Sequence, residues 1–83
     1  MDKKKLYDIA TTFHALSTSP KDKAYFQGYL TGLRRQMTGV LQANDFEAEI
    51  FIALAKKPDP ISQEFSRGYK DGLARVEIVA GEG

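Results

Sequence analysis

Two pairs of glycines, each with a four-residue spacing, constrain the fold of this 83-residue chain most strongly. Residues 25–36 read YFQGYLTGLRRQ and residues 65–76 read FSRGYKDGLARV, so Gly28 and Gly32 recur as Gly68 and Gly72. Both segments otherwise have the composition of a helix, in which a glycine costs about 1 kcal/mol relative to alanine. Because this cost recurs at the same spacing, we expect the glycines to have a structural purpose.

The glycines belong to an internal repeat with an offset of 40 residues. Residues 20–35 and 60–75 share the pattern P-x4-[YF]-x2-G-Y-x2-G-L-x-R. Similarity at a fixed period indicates that one supersecondary unit is used twice. We therefore predict a single small helical domain over residues 1–83, in which the first repeat covers about 4–42, the second covers about 44–76, and 77–83 form a C-terminal tail.

Apolar spacing and cap residues predict an all-α fold in which four helices form two tandem helical hairpins. Ser19 and Asp59 each precede a proline, which is typical of an N-cap followed by proline in the first turn. Asn44 and Glu47 have the spacing of a capping box. The expected helices cover about 4–16, 20–42, 45–56 and 60–76. The predicted apolar faces are Leu6, Ile9, Ala10, Phe13 and Leu16 in helix 1, and Phe46, Ile50, Phe51 and Leu54 in helix 3.

The glycines predict how helices 2 and 4 meet. Small residues four apart allow two helix backbones to approach closely. We expect the two helices to cross at the glycines about a pseudo-twofold axis, with a tyrosine on each side of the crossing. Two other hypotheses remain: the glycines receive a helix from a second copy, or a ligand meets the bare backbone there. The predicted packing residues are Gly28, Gly32, Gly68, Gly72, Tyr29, Tyr69, Leu33 and Leu73.

Composition excludes several classes of protein. There is no cysteine and only one histidine, so the chain cannot form a disulfide framework, a thiolate metal site or a multi-histidine site. No apolar run approaches the roughly 20 residues of a membrane span. The basic start MDKKKLYDIA is followed by polar residues rather than an apolar segment, so we expect no signal peptide and a cytoplasmic location without membrane association.

The charge is balanced overall but divided unevenly. The net charge is +1, with 12 Lys and Arg against 11 Asp and Glu. Residues 1–43 carry a net +4 and residues 44–83 a net −3. This division could be scatter among few residues. Alternatively, the two halves face each other, within one chain or between two.

No catalytic arrangement is visible. His14 has no identifiable nucleophile or acid beside it, and we expect it at the edge of a surface. Asp45, Glu47 and Glu49 suit the dipole at the start of helix 3 rather than a metal. Asp71 precedes Arg75 by four residues, which predicts a favourable ion pair on helix 4. We therefore predict that the chain is not an enzyme and has no catalytic residue, metal site or cofactor.

Two functional hypotheses remain. The first is a non-enzymatic protein-binding module, an adaptor or inhibitor of the small kind that phages and mobile elements encode, with a homodimer as the expected state. The second is a dimeric nucleic-acid-binding regulator that uses the basic flank of helix 2, which is less favoured because helix 4 carries nearby acidic residues. The candidate partner-binding residues are Tyr25, Arg34, Arg35, Lys21 and Lys23, together with Tyr29 and Tyr69.

Overall fold

Four helices form the described part of the chain, which covers residues 3–38 and 46–76 of a computed structural model. They are α1 (Lys3–Leu16), α2 (Pro20–Thr38), α3 (Phe46–Ala53) and α4 (Pro60–Leu73), and one turn of 3-10 helix over Leu54–Lys56 extends α3. The predicted all-α fold is confirmed. The expected end of helix 2 near residue 42, the start of the capping box at Asn44 and the tail over 77–83 lie outside the described residues.

The start of α4 follows the predicted cap. The Asp59 carboxylate accepts a hydrogen bond from the Ile61 backbone N–H at 3.0 Å and another from the Ser62 hydroxyl at 3.1 Å. Pro60 occupies the first helical position, where its missing N–H costs nothing. This local chemistry fixes where the chain turns from α3 into α4.

The end of α4 differs from the prediction. The Val76 N–H donates to the Asp71 carbonyl at 3.0 Å, and the Arg75 N–H donates to the Gly72 carbonyl at 3.1 Å. This is the Schellman pattern of helix termination, and it requires a left-handed residue at position 75. Arg75 adopts φ 55°. The predicted helical pair of Asp71 with Arg75 is therefore wrong, because Arg75 lies beyond the end of the helix.

Helices α2 and α4 cross with their backbones in direct contact. A Cβ atom added to Gly28 would overlap the Phe65 carbonyl oxygen, and one added to Gly68 would overlap the Tyr25 carbonyl oxygen. One turn further along α2 and α4, an added Cβ on Gly32 would meet Tyr69 and one on Gly72 would meet Tyr29. Each contact has a reciprocal contact with both residue numbers shifted by 40. Helix α4 of the same chain thus fills the row of glycines on α2.

The apolar core lies between α1 and α2, next to this crossing. Leu6 and Ala10 of α1 pack against Tyr29 and Leu33 of α2, and all four are buried. Tyr7 and Leu30 pack at the edge of this cluster. The prediction that Leu16 belongs to the apolar face is wrong, since its side chain is 71% exposed. Leu16 is the last residue of α1, beyond the part of the helix that packs on the core.

Outside the crossing, the two hairpins pack differently. Phe13 of α1 stacks on Phe26 of α2, with ring centroids 5.4 Å apart. The position that matches Phe26 in the second repeat is Ser66, which offers no ring. Phe51 of α3 instead packs on Phe65 and Tyr69, at 5.0 and 5.1 Å.

The helices are arranged in the spatial order α1, α2, α4, α3. Each helix packs on the next one in this order, and the described residues of α1 and α3 make no packing contact with each other. The overall extents of 37 × 32 × 17 Å describe a flat molecule. Helix α3 therefore lies at one edge, with α4 on one side and no described helix on the other.

Candidate protein-binding surface

Helix α3 exposes apolar side chains that its sequence would place in a core. Six of its eight residues are apolar and the other two are glutamates, and a helix with so high an apolar content is normally buried on most of its surface. Within residues 3–38 and 46–76, however, α3 packs only on α4 and on the 3-10 turn that extends it. Ile50 is 61% exposed and Ile52 is 42% exposed. The prediction that Ile50 faces the core is wrong, because Phe51 takes the side toward α4.

Two contacts from α4 hold α3 in place. The Phe51 ring packs on Phe65 and Tyr69, which anchors the middle of the helix. At its C-terminal end, the Ser66 hydroxyl donates to the Ile52 carbonyl at 3.0 Å. Ser66 is fully buried, and this bond satisfies one of the carbonyls that a helix end leaves without a partner. These contacts fix the position of α3 on α4 and leave the opposite side of α3 facing outward.

The outward side of α3 and of the 3-10 turn that extends it carries a negative charge at Glu49 and a positive charge at Lys56. Glu49 and Lys56 are both exposed. They are seven residues apart, which is about two helical turns, so they lie on the same side of the element. The exposed Ala53 lies between them, and the two isoleucines flank this line. We refer to Glu49, Ile50, Ile52, Ala53 and Lys56 as the α3 face.

Tyr25, a predicted partner-binding residue, makes its contacts within the chain. Its hydroxyl donates to the Asp71 carboxylate at 2.5 Å, and the Arg67 guanidinium lies over its ring at 5.1 Å from the centroid. Burial of the phenol, together with this hydrogen bond, raises the pKa of Tyr25. The hydroxyl therefore joins α2 to α4 next to the glycine crossing.

Tyr29 and Tyr69, the tyrosines expected beside the crossing, are both fully buried. The Tyr29 hydroxyl donates to the Val76 carbonyl at 2.5 Å, at the Schellman end of α4. The Tyr69 ring supports Phe51 of α3. The structure thus assigns both rings contacts inside the domain. Leu33 is buried at the crossing and Leu73 is half-buried there.

Arg34 lies in a groove between α1 and α2. The groove has a volume of about 560 Å³ and is lined by Lys4, Tyr7, Asp8, Arg34 and Met37. An Arg34 guanidinium nitrogen lies 3.4 Å from the Tyr7 hydroxyl, a long hydrogen bond at an exposed position. The groove carries charges of both signs and opens to solvent.

The basic residues of α2 do not form one surface. Lys21 and Lys23 are exposed in its first turn, Arg34 is exposed near its other end, and Arg35 is half-buried. At 100° per residue, Lys23 and Arg34 lie near one side of the helix, and Lys21 and Arg35 lie near the opposite side. The positive charge of α2 is thus divided between two directions.

The remaining titratable residues within 3–38 and 46–76 show no arrangement for metal binding. His14 is half-exposed on α1, as expected for the edge of a surface. No three His, Asp or Glu side chains in the described ranges are placed to hold a metal ion. Among the same residues, no helix is long and apolar enough to cross a membrane.

No protein-family model, curated protein or solved structure matches the chain.

Sequence reasoning overlooked Ser66 and the exposure of α3. The repeat contains the signal for both, at the positions where it changes. Phe26 corresponds to Ser66, and the half-buried Leu30 corresponds to the exposed Lys70. On α2, Phe26 and Leu30 provide apolar surface that packs on α1. Because of these two changes, α4 has no such apolar surface at the matching positions. A comparison of the two copies for their differences would have indicated that α3 and α1 pack differently.

Proposed function

We propose that this chain is a non-enzymatic protein-binding module whose binding surface is the α3 face. The observation that carries the proposal is the exposure of Ile50 and Ile52 on a helix in which six of eight residues are apolar. Exposed isoleucines on an ordered helix are typical anchors for a partner, because their burial contributes about 25 cal/mol per Å² of apolar surface.

The support beneath the α3 face favours the same function. Binding costs less when the surface is already ordered, since no side chain or loop has to be immobilised on association. Phe51 and Ser66 tie α3 to α4, and α4 is locked against α2 by the glycine crossing. The α3 face is thus anchored, through α4, to the glycine crossing, where the backbones of α2 and α4 are in direct contact.

Site-specific photocrosslinking tests this proposal. A benzophenone amino acid replaces Ile50 in one variant and Lys70 in another, and both variants are irradiated in the cells from which the chain derives. Lys70 is exposed on α4 and is not part of the α3 face, so it serves as the matched control. We expect one discrete crosslinked product from position 50 and none from position 70.

A second substitution checks that the product depends on the α3 face. Ile52→Glu should remove the crosslink from position 50, whereas Ile61→Glu should leave it. Ile61 is 37% exposed at the start of α4 and provides a control of equal chemistry. If position 50 gives no discrete product, or if Ile52→Glu leaves the product unchanged, the α3 face is not the binding surface.

A further inference from the structure

We infer that the partner of the α3 face is a second copy of this chain, bound by an antiparallel contact between the two α3 helices. This inference rests on the proposed function, which it makes specific. The pairing is about a twofold axis that passes close to Ala53. Twofold dimers use the same patch on both subunits, so the patch must be complementary to itself.

The charges of the α3 face satisfy that requirement. Glu49 lies at one end and Lys56 at the other, with Ala53 four residues from the first and three from the second. In an antiparallel pairing centred near Ala53, Glu49 of each copy lies opposite Lys56 of the other. Lys57, also exposed, offers a second cation one residue further along. A parallel pairing would instead place like charges together.

The apolar residues suit the same geometry. Ala53 lies at the centre of the line, where a small side chain lets two helices approach closely. Ile50 and Ile52 lie on either side of this line and would close over the partner helix. Both are more than 40% exposed in the single chain. The contact therefore has an apolar centre and a charged pair at each end.

The size of the contact sets its strength. One short helix on each side buries far less than the roughly 800 Å² per partner of a standard interface. The association should accordingly be weak and reversible, with a dissociation constant on the order of 100 µM. Dimers of this kind are populated where the local concentration is high.

Charge reversal tests the pairing directly. Three proteins are compared at up to 1 mM by sedimentation equilibrium in low salt: the natural chain, the Glu49→Lys variant and the Lys56→Glu variant. Each variant brings like charges together at both ends of the contact. We expect each to weaken self-association roughly tenfold, because surface ion pairs contribute modestly and their reversal adds repulsion. Lys23→Glu, on the exposed start of α2, is the matched control and should associate like the natural chain.

Mixing the two variants supplies the decisive measurement. A heterodimer of Glu49→Lys with Lys56→Glu has opposite charges at both ends again, so the equimolar mixture should regain the association of the natural chain. This rescue also shows that neither variant is misfolded. A natural chain that stays monomeric at 1 mM overturns the inference, and so does a mixture that associates no better than its components.

The outcome separates this inference from the proposed function. If position 50 crosslinks to a different protein while the natural chain stays monomeric, the second copy is excluded and the binding function of the α3 face stands. If position 50 gives no crosslink although the chain dimerises without response to charge reversal at 49 and 56, both proposals fall.

Discussion

The Tyr29 hydroxyl donates a hydrogen bond of 2.5 Å to the Val76 carbonyl, which joins the centre of α2 to the turn that ends α4. The Tyr29 ring is fully buried at the glycine crossing. A side chain in the core thereby holds the last turn of a helix that is 47 residues away in the sequence. This bond adds to the ladder of backbone bonds that terminates α4.

Removal of that hydroxyl should destabilise the domain. We expect Tyr29→Phe to lower the free energy of unfolding by about 1–2 kcal/mol, because the ring packing is kept and a part-buried hydrogen bond is lost. Urea denaturation followed by circular dichroism measures the change. Tyr7→Phe is the control and should change stability by less than about 0.5 kcal/mol, since among the described residues the Tyr7 hydroxyl makes only a long, exposed hydrogen bond with Arg34. Equal effects of the two substitutions would show that the hydrogen bond to the Val76 carbonyl does not contribute to stability.

The turn at Arg75 predicts a stabilising substitution. Arg75 adopts φ 55°, a left-handed conformation that glycine adopts without strain. Arg75→Gly should therefore raise the free energy of unfolding by up to about 1 kcal/mol. Ala74→Gly, one residue earlier in a right-handed conformation, should give no gain. Thermal melts of the two variants distinguish them, and a loss of stability in Arg75→Gly would contradict the Schellman turn.

The glycine crossing predicts an inversion of the usual helix preference. Alanine normally stabilises a helix relative to glycine by about 1 kcal/mol. At Gly28, Gly32, Gly68 and Gly72, an added methyl group would overlap backbone atoms of the opposite helix. Each Gly→Ala substitution should therefore lower the free energy of unfolding by about 1–3 kcal/mol, as overpacking does. Gln27→Ala, exposed beside the crossing, should be nearly neutral in the same urea denaturation series.

The hydrogen bond of Tyr25 to Asp71 predicts a loss of stability in alkali. The pKa of Tyr25 is raised in the folded state, so the folded chain keeps the phenol proton at pH values where the unfolded chain releases it. The contribution of the Tyr25 hydroxyl to the free energy of unfolding is complete below the ordinary tyrosine pKa of about 10 and is lost as pH rises above it. Tyr25→Phe should show a shallower fall in stability above pH 10. This variant should fold, since the second repeat carries Phe65 at the same position. Urea denaturation between pH 10 and 11 measures this fall. If the free energy of unfolding of Tyr25→Phe falls as steeply with pH as that of the natural chain, the pKa of Tyr25 is not raised by folding.

The fold could be predicted from the sequence to the extent that local rules decide it. Asp59 and Pro60 set a helix start through their own backbone chemistry, and the glycine spacing depends only on helix geometry. The end of α4 was not predicted, because position 75 lacks the glycine that usually signals a Schellman turn. There, tertiary contacts such as the Tyr29 bond to the Val76 carbonyl support a conformation that arginine rarely adopts.

The candidate site was not predicted from the sequence. Periodicity placed Ile50 on the predicted apolar face of helix 3, together with Phe51. The packing of α3 depends instead on what α4 offers, and Ser66 replaces the ring that Phe26 provides on α2. The aromatic and basic residues of α2 drew attention as binding candidates, yet Tyr25 is used within the domain.

The direct contact of the α2 and α4 backbones underlies the fold and the position of α3. Nuclear Overhauser effects between the two helices measure this contact in solution, on the natural chain with assigned backbone resonances. We expect cross-peaks from the α-protons of Gly28 to residues 65–69, and from the α-protons of Gly68 to residues 25–29, at a protein concentration where the chain is monomeric. Their absence from a fully assigned spectrum, or their appearance only between differently labelled copies, would contradict the crossing within one chain.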